Sequence, residues 1–188
     1  MNATIRFGMM CAFGAMAPVA LAALADAEDV AASTIEGYTV SFSGGGWSAA
    51  KKARAALGKM KGVEKVMLSG MTAFVTTKSE DVKFTRVSVG KALKAGGLKL
   101  ERVKQREIAA PKEAYAIAVT GGTWAQTNER LRADLEKLEE VSAAFVNAGS
   151  ITLLMATAGS YDEGKIGEMT KKRKSVIKKA TKLASSPL

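Results

Sequence analysis

The chain has 188 residues, with 28 Lys and Arg against 18 Asp and Glu, a formal charge of +10 at pH 7, one cysteine and no histidine. With its one thiol, Cys11, in an apolar amino-terminal stretch, the composition excludes imidazole or thiol catalysis, Cys/His metal sites and an internal disulfide. So basic a balance favours anionic partners: lipid head groups, polyanions or acidic proteins.

Residues 1–25 read as a cleaved secretory signal: Arg6 supplies the positive start, an apolar run follows, and Ala23-Leu24-Ala25 precedes Asp26. The run is shorter than the roughly 20 residues of a bilayer span, and Cys11 begins it rather than ending it, which argues against lipid attachment. The expected location is the periplasm, and export excludes nucleic acid as a partner. Residues 26–36 are small and acidic, a flexible leader.

Repeat one, residues 37–108, opens with Tyr38, Val40 and Phe42 alternating with polar residues, the signature of a half-buried strand. A helix over 49–59 carries Ala50, Ala53, Leu57 and Met60 on its inner face. Val63, Val66 and Leu68 make a second strand, and Ser69-Gly70 turns the chain back through Phe74 and Val75. Thr85 caps a second helix with Val89 and Leu93, stopped by Ala95-Gly96-Gly97; Leu98, Leu100 and Val103 supply the fourth strand.

Pro111 lies in a short connector, and repeat two, residues 113–184, follows the same order. Tyr115, Ile117 and Val119 form its first strand, residues 127–138 its helix, and Asn147-Ala148-Gly149 turns a hairpin between strands at 142–146 and 151–156. The stripe Ile166, Met169, Val176, Ile177, Ala180 and Leu183 predicts one long basic helix over about residues 162–183, with no fourth strand. The fold class is therefore α+β: two tandem βαββαβ units, the second lacking its last strand. That omission predicts an exposed edge at Tyr115, Ile117 and Val119, covered by repeat one, a second copy or a partner strand.

The repeats share a glycine-tryptophan turn between first strand and helix, Gly44-Gly45-Gly46-Trp47-Ser48-Ala49 and Gly121-Gly122-Thr123-Trp124-Ala125-Gln126. In repeat one, the helix run through Leu57, the entry Gly62-Val63-Glu64-Lys65-Val66 and the stop Ala92-Leu93-Lys94-Ala95-Gly96-Gly97 resemble the heavy-metal-associated (HMA) domain family. Repeat two is similar in outline only. The resemblance implies a ferredoxin-like fold. It places the family's two metal cysteines on Gly46 and Ala49, and in repeat two on about Thr123 and Gln126, none of which suits a soft cation. The family's fold carries over without its activity.

Trp47 and Trp124 are either partner anchors or caps on the core. Gly44, Gly45 and Gly46 either present helix-start amides to an anion or only supply positive-φ turns. Met67 and Met71 flank one hairpin and are the candidates for a thioether metal site; methionine otherwise fills cores. Lys171, Lys172, Arg173, Lys174, Lys178 and Lys179 load the polar side of the expected last helix, as an anionic-surface patch or as a solvated face. No nucleophile has an obvious base and no carboxylate pair an apolar setting, so neither catalysis nor a cofactor is expected. The expectation is a non-catalytic periplasmic binding or scaffolding protein contacting an envelope protein or itself. The alternatives are periplasmic copper handling through non-cysteine ligands and a basic protein that binds a membrane surface or polyanion.

Overall fold

Alternating apolar residues give each strand one face to bury, and amphipathic helices supply the cover. The computed structural model of the chain describes residues 33–78, 84–121 and 125–188, without the side chains of Trp47, Ala125 and Gln126. The proposed signal segment and most of the leader fall outside the described residues.

In repeat one, β1 (Thr34–Gly44) leads through a short 3-10 turn into α1 (Ala49–Gly58), then β2 (Val63–Ser69), β3 (Thr72–Thr77), α2 (Arg86–Ala95) and β4 (Leu98–Ala109). Residues 34–36, read as leader, belong to β1 and pair with β4. Helix α2 starts in a capping box: Thr85 Oγ1 accepts from the Ser88 amide at 3.2 Å, and Ser88 Oγ accepts from the Thr85 amide at 3.0 Å.

Repeat two runs β5 (Glu113–Gly121), α3 (Ala125–Leu135), β6 (Val141–Asn147), β7 (Ser150–Met155), α4 (Glu163–Lys172) and β8 (Ser175–Lys182). The antiparallel sheets have the orders β2-β3-β1-β4 and β6-β7-β5-β8. With the βαββαβ order, each repeat is a ferredoxin-like unit. Val40, Phe42, Ala53, Leu57, Val89 and Leu93 fill the first core, and Ile117, Leu131, Leu135, Leu153 and Ile166 fill the second.

The expected long last helix and missing fourth strand are corrected. The helix stops at Lys172, and residues 175–182 form β8 beside β5. The helical stripe fails where its next inward position would fall on Arg173, a charge, and Lys174 turns the chain with φ at 58°. The β-branched pair Val176-Ile177 then enters an extended strand, and Ile177 and Ala180 pair with Val119 and Ile117. A Cβ on Gly121 would lie 2.2 Å from the Lys174 carbonyl oxygen, so glycine is required where the turn crosses β5.

The exposed edge at Tyr115, Ile117 and Val119 is corrected with it. Strand β5 is central, and its cover comes from its own repeat. Ile117 and Val119 lie in the second core, while Tyr115 stacks on Tyr161 at 4.2 Å and its hydroxyl donates to Glu113. Lys182 of β8 pairs with the same Glu113 carboxylate. Ile117 and Val119 are therefore core residues with Tyr115 packed against them, and β5 has no open edge for a partner strand.

A third apolar cluster joins the repeats. Phe74 and Ile108, on the face of the first sheet away from its helices, meet Ala114, Ala143, Phe145 and Leu154 of the second, with Met67 packed alongside. The Phe74 and Phe145 rings lie 6.3 Å apart. Edge strands β2 and β6 are tied by side chains. Ser69 Oγ accepts from the Val146 amide at 3.1 Å and donates to its carbonyl. The Asn147 carboxamide donates to the Leu68 carbonyl at 2.8 Å and accepts from the Gly70 amide. Arg106 of β4 pairs with Glu136 beyond α3, and Thr72 donates to Glu129.

Two outcomes test this account. Hydrogen exchange across residues 115–119 should be slow at every protein concentration, because β7 and β8 of the same chain hold the strand on both sides; protection that grows with concentration would contradict it. Phe145→Ala should cost about 3–5 kcal/mol by denaturant titration, the range for a buried aromatic truncation.

Candidate functional site

The turn between β1 and α1 holds the glycine run of repeat one. Gly44, Gly45 and Gly46 have φ of 88°, 73° and 58°, a run closed to most side chains. Leu98 Cδ2 would stand 2.5 Å from a Cβ on Gly45. The three glycines thus let the chain pass over Leu98 and enter α1. That helix begins without a capping side chain and without an acidic residue in its first turn.

At the two positions matched to metal cysteines, Gly46 offers no donor atom and Ala49 is 2% exposed within the first core. Thr123 and the Gln126 side chain fall outside the described residues, as do Trp124 and the side chain of Trp47. Met67 packs in the cluster between the sheets and Met71 against the first core, so their thioethers belong to different clusters.

The six cations expected on one helical face are divided. Lys171 and Lys172 end α4, Lys174 forms the turn, and Lys178 and Lys179 lie exposed on β8. Arg173 instead donates to Asp134 of α3, with Nε at 2.9 Å from the carboxylate, and braces α4 against α3. This guanidinium holds the Asp134 carboxyl below the usual carboxylate range.

A stronger basic surface lies on the helix layer of repeat one. Helices α1 and α2 carry Lys51, Lys52, Arg54, Arg86, Lys91 and Lys94 and no carboxylate. By contrast α3 and α4 mix signs, with Glu129, Asp134, Glu163 and Glu168 among their cations. Between α1 and α2 runs a groove of about 420 Å³, floored by Ala55, Ala56, Ala92 and Ala95 and flanked by Lys52 and Lys59. Sequence reasoning missed this surface because it weighed runs of adjacent lysines. The readable signal was the lack of any Asp or Glu across two separate helices.

No protein-family model and no curated protein matches the chain. Among solved structures, the chain is similar to the water-soluble region of the P-type ATPase CopA from Bacillus subtilis, at 18% identity, 78% of this chain, 93% of that chain and a TM-score of 0.30. It is similar also to the N-terminal soluble domains of Bacillus subtilis CopA, at 18% identity, 78% and 94% coverage and a TM-score of 0.32.

The Asp134–Arg173 brace has a defined pH signature. A carboxyl depressed in the folded state adds stability that is present above the ordinary carboxylate range and is lost as pH falls through its folded value. Asp134→Asn should therefore lower the melting temperature at neutral pH, and its difference from wild type should shrink as the pH is taken below about 4. A difference that is constant with pH would remove the ion pair as its cause.

Proposed function

We propose that the chain is a non-catalytic binding module of the cell envelope that engages an acidic protein segment through the helix layer of repeat one. The observation that carries this reading is the carboxylate-free pair α1 and α2 around an apolar groove. Single surface ion pairs contribute only about 0–1 kcal/mol. Affinity therefore depends on apolar burial along Ala55, Ala56 and Ala92, while the surrounding lysines speed association and select against basic or neutral segments. An amphipathic helix with acidic flanks meets both demands, as in other helix-in-groove contacts. The envelope location rests on the amino-terminal signal pattern, and the absence of donors at Gly46 and Ala49 supports a role other than soft-metal transfer.

The test is binding of a synthetic amphipathic acidic helix, followed by fluorescence anisotropy against salt concentration. Wild type should bind with a steep loss as salt rises. Charge reversal at Lys52, Lys59 and Lys94 should remove binding, and reversal at Lys178 and Lys179 should leave it. Equal loss from both sets would reduce the interaction to net charge and sink the assignment. Vesicles of anionic phospholipid form the second arm: binding to them, and not to the peptide, would reassign the surface to a membrane.

A further inference from the structure

A second cleft, of about 530 Å³, opens where the start of α1, the β2–β3 turn, α3 and the β6–β7 turn converge. Among the described residues its charged lining is Lys51 and Arg54, one helical turn apart, with no carboxylate. Neither cation has an ion-pair partner among the described residues.

Two independent features point into this space. The amino end of α1 has no side-chain cap and no acid in its first turn; its first amide, that of Ala49, donates to the Gly46 carbonyl, so the partial positive charge of this end rests on the amides that follow. Across the cleft, Asn128 of α3 is only 6% exposed, lines the cavity, and makes no side-chain hydrogen bond among the described residues. Its carboxamide is not sealed from solvent, so it opens on the cleft. Asn147, also in the lining, has both carboxamide atoms committed to the β2 backbone. Asn128 is thus an uncommitted polar group on a wall that also carries Leu68 and Met71.

We propose that this cleft is a binding site for a small oxyanion, a carboxylate or phosphate on a compact apolar body. Lys51 and Arg54 supply the opposing charge, the start of α1 donates backbone hydrogen bonds, and the Asn128 amide donates from the second repeat. Leu68 and Met71 receive the apolar part. Because the walls come from both repeats, the site exists only in the joined molecule. It does not depend on the α1–α2 groove, which lies on the other side of α1's lysine pair and needs Lys59 and Lys94.

The experiment is an NMR titration of the full chain with inorganic phosphate and, separately, with succinate. The expected result is saturable shifts confined to the amides at the start of α1 and to the Asn128 carboxamide. The more tightly bound probe distinguishes a phosphate from a carboxylate ligand. Lys51→Gln with Arg54→Gln should weaken binding about tenfold or more, the scale of losing charge-assisted contacts. Asn128→Asp, which sets a carboxylate against the anion, should abolish it. Lys171→Gln with Lys172→Gln should change nothing. Should Asn128→Asp fail to fold, the exposed Lys51 and Arg54 pair decides alone. Non-saturating shifts spread over all basic residues, or unchanged binding in that pair, would overturn the proposal.

Discussion

The organising constraint is the burial of one sheet's outer face by the other repeat. A ferredoxin-like unit covers one side of its sheet with helices and leaves the opposite side to solvent. Here Phe74, Ile108 and Met67 on that side meet Phe145, Ala143 and Leu154, so several strands are buried on both faces. Strand β6 divides its residues accordingly, with Ala144 and Val146 in the second core and Ala143 and Phe145 in the cluster between repeats. This explains why the runs at 143–146 and 151–155 lack the polar alternation of β1: no face remains for water.

Sheet contact also brings two edges together, and exposed edges invite unwanted pairing. Strands β2 and β6 meet without a backbone ladder, through Ser69 and Asn147. A carboxamide has the donor and acceptor of a peptide group, so Asn147 satisfies the Leu68 carbonyl and the Gly70 amide as a neighbouring strand would. The remaining edges, β4 and β8, are rich in lysine and arginine, a common guard against edge-to-edge association.

The two candidate binding regions follow from this geometry. Joining the repeats turns the space beside α1 into a walled cleft by setting Asn128 opposite Lys51 and Arg54. Of the two helix layers, that of repeat one alone has no carboxylate on its helices to neutralise their cations. Near the β4 side, by contrast, Arg106 pairs across the repeats with Glu136, a carboxylate that Arg132 also holds from within repeat two, so that cation serves the joint.

By itself the sequence determined the local order of repeat one, and of repeat two as far as the start of α4. Val40 and Phe42 set a strand, Thr85 sets a helix start, and Gly70 and Asn147-Ala148-Gly149 set the hairpins, because these signals act over a few residues. Only the tertiary structure decided the fate of residues 175–182, whose stripe is compatible with a helix but whose backbone completes the ladder of β5. Only the tertiary structure, likewise, decided that Phe74 and Phe145 meet, and that Asn128 faces Lys51 and Arg54. Pairings of this kind join residues some 70 or more positions apart, and no periodicity within either segment encodes them.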